Sequence, residues 1–113
     1  MKYGITRQYH DRRRDRLRKA RETARHLTAI LTKNYHARKV VLFGSLADEK
    51  RFNDHSDIDL CAFGLDPADY FKAVGELLIE AREFQVDLIP FEDATPRMVE
   101  SVSKGEILYE KGK

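Results

Sequence analysis

Asp57 and Asp59 stand two residues apart in the run Ser56-Asp57-Ile58-Asp59-Leu60. On a strand, residues i and i+2 share a face, so the two carboxylates would project side by side. Left unpaired they repel, and one of them holds its proton. A divalent cation removes that conflict, and Mg²⁺ takes oxygen ligands, commonly one or two carboxylates together with substrate phosphates. The bland alternative is the solvated face of an edge strand. A third acid, Asp87, lies inside the apolar run Gln85-Val86-Asp87-Leu88-Ile89. A carboxylate there is costly to bury unless it is paired or binds a metal, although a strand-end Asp facing water is common. If the two strands are neighbours, the three acids converge and can share two metal ions about 3.5–4 Å apart. Gly44-Ser45 closes another apolar run. A turn that leads from a strand into a helix presents backbone N–H groups to anions. Glycine lets a phosphate approach the backbone, and the Ser45 hydroxyl adds a donor. The same pair also makes an ordinary turn and cap.

The elements that would carry these groups are legible in the hydrophobic pattern. Leu17, Ala20, Ala24, Leu27 and Leu31 recur at helical spacing and predict a helix over residues 11–33, with Asn34 as its stop. Residues 1–10 show no period and read as a basic arm. Lys39-Val40-Val41-Leu42-Phe43 reads as a buried strand, followed by a short helix over 46–51 and a polar loop over 52–56. Residues 57–63 alternate, with Ile58, Leu60 and Ala62 on one face and Asp57, Asp59 and Cys61 on the other. Asp66 and Pro67 are expected to cap a second helix whose buried stripe is Tyr70, Phe71, Val74, Leu77, Leu78 and Ala81. Residues 84–91 read as a third strand whose end Pro90 weakens. Thr95-Pro96 opens a short helix to Ser103, and 106–109 reads as a last edge strand. Strands alternating with helices predict an α/β (α+β) fold, a small mixed sheet of about four strands covered by helices on one face.

Composition sets outer bounds. The chain has 113 residues, enough for one domain, with 42% hydrophobic and 35% charged residues. The net charge of +2 hides an asymmetry: residues 1–39 hold 13 Lys/Arg against 3 Asp/Glu, and residues 40–113 hold 8 against 16. A basic front and an acidic body suggest two surfaces with different partners. The single cysteine, Cys61, rules out an internal disulfide and fits a reducing cytoplasm. No apolar run approaches a membrane span, and residues 1–30 lack the apolar core of a signal peptide, so a cytoplasmic protein is expected.

Other residues carry weaker signals. Arg12, Arg13, Arg14, Arg16, Arg18, Lys19, Arg21 and Arg25 form a basic cluster that could meet nucleic acid or an acidic protein, or could be a solvated face paired with the acidic body. No aromatic residues interleave with it, so a nucleic-acid reader is possible but not favoured. His10, His26, His36 and His55 are scattered and read as surface histidines, with a minor role open to His55 beside Asp57. Lys72 could reach a phosphate but more simply faces solvent. Phe43, Phe63, Phe71 and Phe91 are expected in the core.

Taken together, Gly44-Ser45, eleven intervening residues, Asp57-Ile58-Asp59 and the later strand acid Asp87 resemble the nucleotidyltransferase superfamily of DNA polymerase beta. Val41-Leu42-Phe43-Gly44-Ser45-Leu46-Ala47 and Ser56-Asp57-Ile58-Asp59-Leu60 are most similar to its minimal nucleotidyltransferases, over roughly residues 15–110. The resemblance implies a polymerase-beta-like fold and Mg²⁺, two ions, on Asp57, Asp59 and Asp87. Asp87 would help activate the incoming hydroxyl, and Gly44 and Ser45 would hold the triphosphate of ATP or another nucleoside triphosphate. It also implies a HEPN-type helical partner, a ribonuclease toxin neutralised by transfer of AMP to a tyrosine. Where relatives are often Gly- and Arg-rich between the two motifs, this chain has Asp48, Glu49 and Asp54, offset by Lys50 and Arg51. It has no second helical domain, so acceptor recognition would fall to a partner or a homo-oligomer. Two readings compete with the enzyme: an antitoxin that neutralises by contact alone, and a nucleic-acid-binding protein using the Arg-rich helix.

Overall fold

The computed structural model describes residues 2–112, with side-chain surroundings for residues 8–112. The first helix, α1, runs Lys2–Tyr35, so residues 2–10, read from the pattern as an arm, continue it. Hydrophobic period reports which turns of a helix are buried, and a helix once nucleated adds a hydrogen bond with each further residue whether or not it is covered. At its other end the helix takes in Asn34, the expected stop, and finishes on Tyr35. His36 takes a left-handed φ of 59° and the Ala37 N–H bonds back to the Leu31 carbonyl at 3.0 Å, a glycine-like ending made by a histidine. Asn34 and Tyr35 are anchored by Glu76, through the amide at 3.1 Å and the hydroxyl at 2.7 Å.

Four strands follow: β1 (Lys39–Phe43), β2 (Ile58–Phe63), β3 (Val86–Pro90) and β4 (Glu106–Glu110). They form one mixed sheet in the order β3-β2-β1-β4. β1 is antiparallel to both β2 and β4, while β2 and β3 are parallel. The parallel pair needs a crossover, and the helix α2 (Tyr70–Glu80) supplies it. Asp66 caps as expected, its carboxylate accepting the Ala68 N–H at 3.0 Å, but what it opens is a 3-10 turn, Pro67–Asp69, that leads into α2 at Tyr70. Pro90, which has no N–H to donate, sits on edge strand β3, where the ladder can spare it.

Helices α1 and α2 cover one face of the sheet. Ala20, Ala24, Leu27 and Leu31 pack there with Val40, Leu42, Ile58, Leu60, Ala73, Leu77 and Leu88 in one core. A smaller cluster lies on the opposite face, where Val102 of the short helix α3 (Pro96–Ser103) closes over Val41, Phe43 and Cys61. Gly105 makes that approach possible, because a Cβ there would lie 2.8 Å from Val41 Cγ1 and against the Leu42 carbonyl.

Two local expectations change, and one open question closes. Residues 46–51 do not form a helix. Gly44–Leu46 makes a single 3-10 turn, and further turns follow to residue 51. In α2, Ala73, Leu77 and Ala81 point inward, but Phe71 is 86% exposed and Leu78 53%. Residues 70, 71, 74, 77, 78 and 81 span a wider arc than one helix offers a core, and Phe71 and Leu78 lie at its exposed edge. The basic cluster of α1 is in good part engaged within the protein. Arg21 reaches Glu106 at 2.5 Å, Arg13 donates to the Phe52 and Glu49 carbonyls, Arg16 stacks on Phe84 at 4.8 Å, and Arg18 bridges Asp15 and Glu22. No helix among the described residues is long and apolar enough to cross a membrane.

Candidate active site

Asp59 sits in β2 between Ile58 and Leu60, whose side chains are fully buried in the helix-covered core. Strand alternation therefore turns Asp59 to the other face. Parallel pairing places Asp87 of β3 directly opposite it, and Phe43 pairs with it from β1. Paired residues share a face, so Asp59 and Asp87 meet as the sequence pattern anticipates. Asp57 lies one residue before β2 and is exposed, as is Asp87, while Asp59 is half-buried.

The electrostatics match the conflict of adjacent carboxylates. Burial, then the charges of Asp87 and Asp57, pushes the Asp59 carboxyl up from 3.8 to about 6. Asp59 therefore holds its proton more tightly than a free aspartate, and a cation is what would release it. Among the described residues no three acid, histidine or cysteine side chains close into a ready-made metal cage. The site is an open pair of acids with a third charge nearby, which suits Mg²⁺ better than a structural ion, since Mg²⁺ keeps water and substrate phosphates as ligands.

Gly44 has a reason that the sequence did not disclose. Its φ is +75°, and a Cβ there would collide with Asp59 Oδ2 and lie 3.3 Å from Asp59 Cγ. The glycine thus makes room for the carboxylate. In the turn after it, the Ala47 and Asp48 amides bond to the Gly44 and Ser45 carbonyls at 3.2 and 3.3 Å. Ser45 is half-buried and makes no side-chain hydrogen bond to another described residue.

A cleft of about 680 Å³ opens at Phe43 and Gly44, and none of Asp57, Asp59 and Asp87 lines it. One wall is the bend with Asp48, Glu49 and Arg51, and the other is α3 with Arg97, Glu100, Ser101 and Lys104. Sequence reasoning missed the α3 residues. Their signal is tertiary, since only the packing of Val102 and Gly105 on β1 brings that helix to the turn. A second, more polar cleft of about 330 Å³ holds Asp57 together with His55, Ser56, Asp54, Arg16 and Glu83, so His55 does share a cavity with Asp57.

The remaining candidates fall away from the site. Lys72 is exposed on α2, which covers the opposite face of the sheet. His26 pairs with Glu80 at 2.7 Å. Cys61 is on the acid face, fully buried with Val41 and Phe43, and burial followed by the Glu92 charge pushes its thiol up to about 11. It fills space under the site and is no nucleophile.

Residues 25–113 match the family described as "Polymerase beta, Nucleotidyltransferase". No curated protein is significantly similar in sequence. Several solved structures share the fold. One is a chain of the toxin–antitoxin complex MntA–HepT, at TM-score 0.60 and 21% identity over 80% of this chain and 73% of the other. Another is from a toxin–antitoxin with AMP-PNP, at 0.62 and 21% over 78% and 74%. A third is from the tri-AMPylated Shewanella oneidensis HEPN toxin in complex with MNT antitoxin, at 0.60 and 21% over 81% and 73%.

Proposed function

The chain belongs to the polymerase beta nucleotidyltransferase family, and from that premise we propose that it moves AMP from ATP onto a hydroxyl of a helical HEPN-type toxin, acting as that toxin's antitoxin. The observation that carries this reading is the pairing of Asp59 with Asp87 beside Gly44, with Asp57 close enough to raise the Asp59 carboxyl further. In the proposed site Asp57, Asp59 and Asp87 hold Mg²⁺, two ions in all. Bound there, the metal would neutralise the triphosphate and lower the pKa of the attacking hydroxyl. Gly44 and Ser45 receive the phosphates through backbone and hydroxyl. Asp59 and Asp87, fixed by adjacent strands, orient what they ligate, and such positioning with charge neutralisation is most of what phosphoryl transfer asks of a protein. Structural neighbours that were solved with AMP-PNP and with an AMPylated toxin favour ATP and a protein acceptor.

A second reading, neutralisation by contact, has its own support. Phe71 and Ile79 are 86% and 76% exposed on α2, an apolar surface away from the acids. Nucleic-acid binding by α1 is weakened, because Arg13, Arg16, Arg18 and Arg21 are engaged within the fold. One experiment separates the first two readings. The chain and its Asp57→Ala/Asp59→Ala variant are incubated with ATP, Mg²⁺ and host lysate, and acceptor modification is followed by mass spectrometry. Modification by the wild type alone supports transfer. An unmodified acceptor that either form neutralises equally leaves contact as the function.

A further inference from the structure

α2 has two apolar faces. Ala73, Leu77 and Ala81 enter the core, while Phe71, Leu78 and Ile79 face away from it, 86%, 53% and 76% exposed. A helix that is apolar on both sides is ordinarily covered on both. Phe71, Gly75 and Ile79 stand four residues apart and form one ridge along the outer side. Gly75, at the middle of that ridge, has no reason inside the chain. A Cβ there would meet nothing within 4 Å, and its φ is not left-handed. Glycine within a helix is unfavourable relative to alanine, so the fold alone does not ask for it. What a bare backbone allows is close approach from outside. The two ends of the ridge differ in charge. Beyond Phe71 lies a slot of about 240 Å³, lined by Leu65, Tyr70 and Pro90 together with the acids Asp66, Glu92 and Asp93. Beyond Ile79 lies Arg82, exposed and without an ion pair or side-chain hydrogen bond to a described residue. The acids nearest Arg82 are turned elsewhere: Glu80 pairs with His26, and Glu83 lines the cleft of Asp57.

We propose that a second copy of this chain docks on this face, α2 against α2, antiparallel across a two-fold axis at Gly75. An isologous contact needs a patch that is complementary to itself, and this one is. Turned end for end about Gly75, Phe71 meets Ile79 of the partner subunit, and the same pair forms again on the other side of the axis. Arg82 of the partner subunit then falls at the acidic slot beyond Phe71. The glycine lies where the two ridges cross and lets the backbones come together. This inference does not depend on the transfer reading. Asp59 and Asp87 lie on the opposite face of the sheet, so both copies keep their acids uncovered. The same face supports neutralisation by contact, but a charge pattern that is answered within the ridge itself favours a second copy over the toxin as its occupant. One helix against one helix is a small interface, so the dimer should dissociate on dilution.

The test is sedimentation analysis of the full chain over a range of concentrations, for wild type, Phe71→Ala, Gly75→Leu, Arg82→Glu and Arg82→Glu/Asp93→Lys. Val99→Ala, exposed on α3, is the control. Every substituted side chain is exposed in the single chain, so circular dichroism on diluted samples should show each variant folded, with Gly75→Leu at least as stable as wild type. The wild type is expected to pass from monomer to dimer as concentration rises. Phe71→Ala and Gly75→Leu should each weaken the dimer by about tenfold or more, and Val99→Ala by no more than about twofold. Arg82→Glu should weaken it too, and the double exchange of charge should restore most of the loss. Added salt should weaken the wild-type dimer more than that of Arg82→Glu. A wild type that stays monomeric into the millimolar range overturns the proposal and leaves the face to another partner, such as the toxin of the contact reading. A dimer that Phe71→Ala and Gly75→Leu leave intact overturns it as well, since the copies then meet elsewhere.

Discussion

Replacing Asp59 by asparagine should stabilise the metal-free protein. The carboxyl is raised from 3.8 to about 6 by burial and by the charges of Asp87 and Asp57, so at neutral pH the fold holds an ion that its surroundings disfavour. The linkage sign follows from the raised value: the stability contributed by neutral Asp59 is full below about 3.8 and is lost as pH rises through about 6. Asparagine keeps the shape and stays neutral throughout. The whole shift would amount to about 3 kcal/mol, and because Asp59 is only half-buried, solvent screening reduces the expectation to ~1–2 kcal/mol. For a domain of this size that is a rise in Tm of about 4–8 °C for each kcal/mol. The assay is thermal and denaturant unfolding of wild type and Asp59→Asn in EDTA at pH 7 and again near pH 3.5. The variant should be more stable at pH 7, with the difference gone at pH 3.5. Adding Mg²⁺ and ATP should stabilise the wild type by mass action and leave the variant nearly unmoved. Equal stabilities at pH 7 in EDTA, or an advantage of the variant that persists in acid, would refute the claim that burial and the neighbouring acids disfavour the Asp59 carboxylate.

Gly44→Ala should cost about 1–2 kcal/mol for its left-handed φ, and more through displacement of the Asp59 carboxylate, so chemical denaturation should show the loss and transfer activity should fall with it. Phe71→Ala should shift the unfolding free energy by no more than about 0.5 kcal/mol, whereas Leu77→Ala, on the buried face of the same helix, should cost about 2–5 kcal/mol. Cys61 should resist iodoacetamide at pH 8 in the native protein and react fully in guanidinium, because its thiol is buried and raised to about 11. By linkage, the stability owed to the neutral thiol is present below about 9.0 and falls as pH rises through about 11, which pH-dependent unfolding of wild type against Cys61→Ala would register.

The strands were readable because their requirements are local. Residues 57–63 alternate in sequence and in the sheet, and their apolar partners Ile58, Leu60 and Ala62 enter the helix-covered core while Cys61 enters the other. Asp59 and Asp87 were readable as candidates because acids stand out in apolar runs, but their pairing depended on β2 and β3 being neighbours, which only the α2 crossover secures. Phe71 and Leu78 misled because helical spacing says that residues lie within an arc, not how wide an arc the sheet covers. Gly44 stood out in the sequence as a candidate phosphate turn, whereas the neighbour that requires a glycine there, the Asp59 carboxylate, lies on another strand. Arg97 gave no signal at all. It is an ordinary residue of a short helix until Val102 and Gly105 dock that helix on β1. The basic cluster of α1 could be read either as a surface for partners or as a face paired with the acidic body, because the acceptors that engage it, the Phe52 carbonyl and Glu106, are far away in sequence.

The central claim, metal-dependent transfer of a nucleoside monophosphate by the acids of β2 and β3, is tested most directly with ATP labelled at either its α- or its γ-phosphate. Each is incubated with the protein, Mg²⁺ and host lysate, with Asp57→Ala/Asp59→Ala alongside. The expected result is a protein band labelled from the α-phosphate only, abolished by EDTA and by the double substitution. Label arriving from the γ-phosphate, or α-label that survives loss of both aspartates, would contradict it.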